Sequence, residues 1–418
     1  MDWVTIGWER YERGDRRGGL QCWEQAVQAN PRWGEVWNNL CLVWDEEGDS
    51  ERAILAGEAA VQHLGTAIAW NSLGLAWLHR ETLPALTYAL GCFEQALRQQ
   101  PDYGKAHLNR GHALQLLGRG HEAKAAFAQA IAHLPQDANA RVSHAQCLLA
   151  LGAWEEAWQE YEWRWRLPEA AVCPSGAPRW QGEPTDRLLV WGEQGYGDIL
   201  QFARYQALLP PVDWWLPPAL VPLLGGTPDT APPPVAAYQI PLLSVPGVLG
   251  HPPIPPAPYL PLPVPLPLTG RTKIGVVWAT GYREHPAHRR LYRRKSCPLS
   301  ALAPLWELPY TFYSLQVGPD GLRAPYPPLQ DLAPQLTDFA QTARAIAALD
   351  AVIAVDTATA HLAGALGKPL YLLLPYHADW RWATDNLVQQ WYPTAIPLRQ
   401  SSPGDWDGVI TCLGQALA

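Results

Sequence analysis

Residues 351–375 read AVIAVDTATAHLAGALGKPLYLLLP. Ala351–Val355 is an unbroken apolar run of strand length, followed by Asp356, Thr357 and a helical pattern that stops at Gly367. Pro369 and a second apolar run, Leu370–Leu374, come next. The reading is strand, turn, helix, strand. Asp356 or Thr357 can cap the helix, because a side-chain oxygen there accepts from the free first-turn N–H groups. Gly367 suits the left-handed residue just past a helix, and Pro369 prevents continuation. Two buried parallel strands need a crossover, and a helix supplies it in a right-handed unit. Thr357, Ala358, Thr359 and Ala360 are small and leave the helix start open, where exposed N–H groups attract phosphate. The stretch therefore predicts a phosphate-bearing ligand at 356–361.

The flanking sequence repeats the pattern. Ile274–Ala279 (IGVVWA) is a buried strand leading into a loop dense in cations: Arg283, Arg289, Arg290, Arg293, Arg294 and Lys295. Basic residues beyond a strand's carboxyl end suit anion binding, although a solvated basic loop has the same composition. Ser296 can cap a helix around 300–306. His285 and His288 stand three apart without a Cys or carboxylate cluster, which argues against a metal. Thr311–Leu315 reads as a strand, TDFAQTARAIAALD (337–350) as an amphipathic helix, WYPTAIPLR (391–399) as a last strand, and 402–418 as a closing helix. The order is that of a doubly wound sheet. Its ligand crevice lies beyond the strands' carboxyl ends, so the loops at 279–296, 316–320, 356–359 and 375–385 should converge.

Upstream, RLLVWGEQGYGDILQFARYQALL (187–209) is again strand, glycine-rich turn and helix, with the helix start at Asp198. The dinucleotide spacing G-x-G-x-x-G is absent. An Asp at a helix start is most often just a cap. Residues 210–267 hold 20 of the 42 prolines, and PPIPPAPYLPLPVPLPL within them predicts an ordered, extended crossing. The polar segment 168–187 reads as a linker.

Residues 1–167 repeat. Gly14 and Gly48 lie 34 apart, as do Gly118 and Gly152, Ala123 and Ala157, Phe127 and Tyr161, and Trp3 and Trp37. Each unit holds two short helical patterns, with small residues (Gly111, Ala145, Ala123, Ala130) where the helices should touch. Five units start near residues 1, 34, 67, 104 and 138. The third has about three extra residues around Glu81–Leu86, which predicts an irregular loop or second helix. The segment resembles the tetratricopeptide repeat. Such a solenoid offers a concave surface to a protein or peptide, with Asn38, Asn39, Asn71 and Asn109 on first helices as candidate groove residues. Trp3, Trp37 and Trp70 read as core packing.

A chain of 418 residues needs two or three domains. Its net charge of −8 speaks against nucleic acid as the main partner. The seven cysteines form no Cys-x-x-Cys pair, which fits a reducing compartment better than a disulfide framework. The start, MDWVTIGWERYERGD, has no apolar core of a signal peptide, and no run reaches the length of a membrane span. The expectation is a cytoplasmic protein.

Three stretches resemble the bacterial heptosyltransferase group of two-lobed, Rossmann-like (GT-B) glycosyltransferases, in particular bacterial proteins that fuse them to tetratricopeptide repeats. They are GEQGYGDILQFARY (192–205), IGVVWATG (274–281) with RRKSCPL (293–299), and VDTATAHLAGALGKP (355–369). The fold class implied is an α-solenoid (1–167) followed by a small proline-rich first lobe (188–267) and a second, nucleotide-sugar-binding lobe (268–418). The resemblance implies metal-independent transfer from a UDP-, GDP- or ADP-sugar. Asp198 would be the general base, and Lys295 or Arg294 would stabilise the leaving diphosphate. Gly195, Gly197, Thr280, Ser296, Gln316, Asp356, Thr357, Thr359, Ala360 and His361 would line the donor site. The alternative is a non-catalytic scaffold with a degenerate transferase domain. The first lobe's small size bears on both readings, because an acceptor site is ordinarily built there.

Overall fold

Ten helices, α1 (Trp3–Glu12), α2 (Arg16–Ala29), α3 (Gly34–Glu47), α4 (Ser50–His63), α5 (Ala67–Leu78), α6 (Leu83–Gln99), α7 (Gly104–Leu116), α8 (Gly120–His133), α9 (Ala138–Ala150) and α10 (Trp154–Tyr161), form the repeats in a computed structural model. The structure describes residues 2–281, 286–321 and 328–417; Arg283 and His285 lie outside them. Six of these helices start where a short polar side chain caps them. Asp2, Asp15, Asp49, Thr66, Thr82 and Asp137 each accept a first-turn N–H. Gly14, Gly48, Gly118 and Gly152 all adopt positive φ at the turn inside a pair, which explains their spacing.

In the third pair Glu81 takes that left-handed place, with φ of 53°. The irregularity is confined to this loop residue, and the second helix is regular. The extra residues lengthen α6 to 17 residues, and Pro84 sits in its first turn, where a missing N–H costs nothing. In three of the pairs a glycine faces a ring of the other helix. A Cβ at Gly7, Gly74 or Gly111 would stand 2.5 Å from Trp23, Phe93 or Phe127 respectively. Trp3, Trp37 and Trp70 are partly buried against the core around Trp23 and Leu40, while Asn38 and Asn71 are buried.

The chain divides for the most part into two compact units, up to Leu151 and from Gly152 onward. The second unit contains α10 and two parallel sheets. The first sheet follows β1 (Leu188–Trp191), α11 (Tyr196–Phe202), β2 (Val212–Leu216), α12 (Val221–Leu224), β3 (Thr227–Pro228), β4 (Tyr238–Pro241) and α13 (Val245–Val248). Its order is β3-β2-β1-β4.

The second sheet follows β5 (Lys273–Val277), α14 (Pro286–Lys295), β6 (Thr311–Ser314), β7 (Gln330–Asp331), α15 (Phe339–Ala348), β8 (Ala351–Val355), α16 (Ala358–Ala365), β9 (Leu370–Leu374), α17 (Asp385–Trp391), β10 (Ala395–Arg399) and α18 (Trp406–Leu417). Its order is β10-β9-β8-β5-β6-β7, and all recorded pairings in both sheets are parallel. Every residue of β8 is buried, as its continuous apolar run requires. Apolar residues of β5, β8 and β9 pack with Trp406, Val409, Ile410 and Leu413 of α18.

Two sequence expectations need correction. The basic segment after β5 is helix rather than loop over 286–295, because Arg, Leu and Lys favour helix and its cations gather in the last turn, where the helix dipole favours them. Ser296 caps no helix: a 3₁₀ segment begins at Leu299 instead. The proline-rich crossing is ordered by backbone bonds. The N–H groups of Tyr259 and Leu260 donate to the Ala365 carbonyl at 3.1 Å, and Leu266 N–H donates to Arg344 O at 3.1 Å. No helix among the described residues is long and apolar enough to cross a membrane.

Replacing Gly111 by alanine forces its new Cβ against the fully buried Phe127 ring. A loss of about 1–3 kcal/mol is expected, read as a lower melting midpoint. An unchanged midpoint would show that the helix pair has room.

Candidate functional site

The two helix starts foreseen in the sequence meet. Gly197 on α11 has no Cβ; one placed there would lie 2.8 Å from His361 Cδ2 and 3.6 Å from Ala358 Cα, both on α16. The glycine thus permits close approach of the turns that carry Asp198 and Asp356.

Thr357 caps α16. Its Oγ1 accepts from the Ala360 N–H at 3.4 Å and donates to the Val355 carbonyl at 3.1 Å. Asp356, freed from capping, accepts from Lys295 Nζ at 2.6 Å. Their side chains are only 9% and 18% exposed. Burial opposes ionisation of Asp356, but Lys295 and His361 outweigh it and hold the carboxyl below its ordinary range. Burial likewise works against the Lys295 ammonium, which Asp356 and Asp379 hold above its usual value. His361 is kept neutral by burial, its pKa falling to about 3, with Asp356 opposing. Its Nδ1 lies 2.9 Å from Tyr392 Oη, its Nε2 lies 4.0 Å from Asp356 Oδ1, and its ring stacks on Trp382 at 4.9 Å. Thr359 lies in the first turn of α16.

Asp198 stands in the first turn of α11. One oxygen accepts from the Gly195 N–H at 3.1 Å, and the other pairs with Arg381. Arg381 is buried and also donates to Asp379 at 2.8 Å and Gln201 at 2.9 Å. Burial pushes the Asp198 carboxyl up, with Arg381 pulling the other way. The same site therefore holds a depressed carboxylate, Asp356, and a raised one, Asp198. Such a separation suits acid–base work.

Thr280, Ser296 and Gln316 act on the neighbouring turn. Gln316 Oε1 accepts from the N–H groups of Trp278 and Ala279 at 3.1 and 2.9 Å, and its Nε2 donates to the Ala279 carbonyl at 3.1 Å. Ser296 Oγ accepts from the Thr280 N–H at 3.1 Å. These bonds shape the backbone beyond β5. Arg294 shares the last turn of α14 with Lys295. Sequence reading did not assign roles to Arg381, Asp379, Trp382 and Tyr392. The signal was an Asp-Trp-Arg-Trp run (379–382) just beyond β9, with charges between large rings.

Comparison with known proteins fits this layout. The glycosyltransferase family 9 (heptosyltransferase) model matches residues 320–384, and a tetratricopeptide repeat model matches 4–65 and 110–162. The chain joins tetratricopeptide repeats to a glycosyltransferase family 9 segment. Protein FlbA of Caulobacter vibrioides is 33% identical over 187 residues, which cover 42% of this chain and 30% of that protein. The chain thus spans less than a third of that relative. Among solved structures, a thermophilic repeat protein of Thermus thermophilus is 26% identical, with a TM-score of 0.36, over 40% of this chain and 90% of its own. YrrB, described as a repeat protein with an unusual peptide-binding site, is 15% identical, with a TM-score of 0.32, over 38% of this chain and 82% of its own.

Lys295→Met leaves Asp356 buried without its cation. A loss of about 3–5 kcal/mol in urea unfolding is expected, largely recovered by adding Asp356→Asn. In the wild type the Asp356 contribution is complete above the ordinary carboxylate range and is lost as pH falls through its lower folded value. Lys295→Met should remove that acid-side loss; an unchanged pH dependence would contradict the pairing.

Proposed function

We propose that this chain is a metal-independent, cytoplasmic glycosyltransferase that moves a sugar from a nucleoside-diphosphate sugar (UDP-, GDP- or ADP-linked) to an acceptor hydroxyl on a protein or peptide recruited by the repeats. In this reading residues 1–167 recruit, 188–267 carry the base and 268–418 hold the donor. The single observation behind it is the convergence of Asp198 with the Lys295–Asp356 pair at two touching helix starts.

Asp198 takes the proton of the acceptor hydroxyl, whose oxygen attacks the anomeric carbon as the bond to the diphosphate breaks. Lys295 offsets the charge developing on the leaving diphosphate, helped by Arg294, in a buried setting where charge–charge attraction is strong. Gly195, Gly197 and the α16 start (Thr357, Thr359, Ala360, His361) surround the donor, while Thr280, Ser296 and Gln316 shape its wall. The raised Asp198 gives the rate an acid limb above the ordinary carboxylate range.

A second reading, a scaffold whose transferase domain only binds partners, has one observation on its side. The Asp198 carboxylate is already engaged by Arg381 and the Gly195 N–H.

Calorimetry against UDP-, GDP- and ADP-sugars, paired with a donor hydrolysis assay, separates the two. The transferase reading expects binding of one donor, and a turnover that drops about 10²–10⁴-fold in Asp198→Asn with affinity retained. Binding without turnover supports the scaffold, and no binding to any donor rules out the transferase.

A further inference from the structure

An open parallel sheet offers its ligand crevice between adjacent strands where the chain order reverses. In the first sheet that place is the carboxyl ends of β1 and β4. Glu193 follows β1 and Ser244 follows β4, and both are occupied by the chain's own residues. Arg164, two turns of chain beyond Trp158 of the last repeat helix, donates to Glu193 Oε1 at 3.0 Å and to Ser244 Oγ at 2.6 Å. Its other terminal nitrogen donates to Glu162 Oε1 at 2.8 Å and the Tyr161 carbonyl at 3.1 Å. Arg179 donates to the same Ser244 oxygen at 2.6 Å and pairs with Glu162. Glu193 also accepts from the Leu243 N–H at 3.1 Å.

This is a balanced set of two guanidinium and two carboxylate groups. The Arg164 and Glu193 side chains are 6% and 2% exposed. Burial pushes the Glu193 carboxyl up and Arg164 opposes it. Removing the cation would leave a buried carboxylate uncompensated, so the pair holds firmly.

What this set holds is the turn before Asp198. Glu193 is fixed by Arg164. The next residue, Gln194, donates to Tyr161 Oη at 2.8 Å. The next, Gly195, donates to Asp198 itself. Three consecutive residues therefore link the end of α10 to the carboxylate. Tyr161 is buried, and burial pushes its phenol up.

We infer that Tyr161 and Arg164 are positioning residues for Asp198, so that the end of the last repeat helix is a working part of the site as well as a tether for a partner. The inference rests on the reading of Asp198 as the base. It also means that Arg164 fills the place between the carboxyl ends of β1 and β4.

The test uses the full chain with Arg164→Met, Arg164→Lys and Tyr161→Phe, measuring donor affinity by calorimetry and donor hydrolysis against pH. Arg164→Met should keep donor affinity, lose turnover by about 100-fold, and be partly rescued by Arg164→Lys. Its acid limb should move to lower pH, because a loosened turn rehydrates Asp198 and relaxes its raised pKa. A mere loss of folded protein would scale every rate and leave the limb in place, and that result would overturn the inference. Should Arg164→Met not fold, Tyr161→Phe, which removes one hydroxyl, must show the same loss and shift. An active wild type with unaffected variants overturns the positioning role alone. A wild type that neither binds nor hydrolyses a donor overturns the transferase reading and the inference together.

Discussion

Arg381 pairs at once with Asp198, from the first sheet's leading helix, and with Asp379, beyond β9 of the second sheet. A buried guanidinium costs several kcal/mol of desolvation unless it is paired and hydrogen-bonded. Here the bonds to Asp198 and Gln201 are made across the meeting of the two lobes, and the bond to Asp379 within the second. Lys295 and Asp356 stand beside it under the same constraint. The arrangement of sheets, turns and helix starts in the C-terminal unit has to satisfy these charges together. Gly197 makes this possible, since any side chain there would drive α11 away from α16.

The rest of the junction is built from rings and one further cation. Arg204 is buried on the first lobe. It donates to the carbonyls of Pro255 at 3.1 Å and Trp391 at 3.0 Å, and faces the rings of Tyr259, Trp391 and Tyr392. Trp154 and Trp158 of α10 meet Trp380, and Trp158 also meets Phe202. Part of the chain's unusual tryptophan content is thus spent where the last repeat helix and both lobes come together. Large aromatic faces bury much area and give a guanidinium favourable contact. The proline-rich crossing fits the same picture. Its residues offer carbonyls but few N–H groups, and those of Tyr259, Leu260 and Leu266 are bonded to the second lobe.

Much of this architecture was legible from local pattern. The 34-residue repeat, the left-handed glycines and the strand–turn–helix–strand at 351–375 all follow from short-range sterics and hydrogen bonding. The choice between Asp356 and Thr357 as cap was not legible, because either oxygen can accept a first-turn N–H. The distant Lys295 settled it by drawing Asp356 away. The basic segment 286–295 reads as loop from its charge, which masks good helix formers. Arg381 was visible within its Asp-Trp-Arg-Trp run but had no assignable role, since its partners Asp198 and Gln201 lie some 180 residues away.

The sequence by itself determined the repeats and the parallel sheets, because those depend on residues within one or two turns of each other. Tertiary structure alone decided which carboxylate is raised and which is depressed, and which cation each one meets. It also decided that Tyr161 and Arg164 of the repeat end hold the turn of Asp198. Burial and charge pairing are set by neighbours far apart in the chain, and local sequence does not encode them.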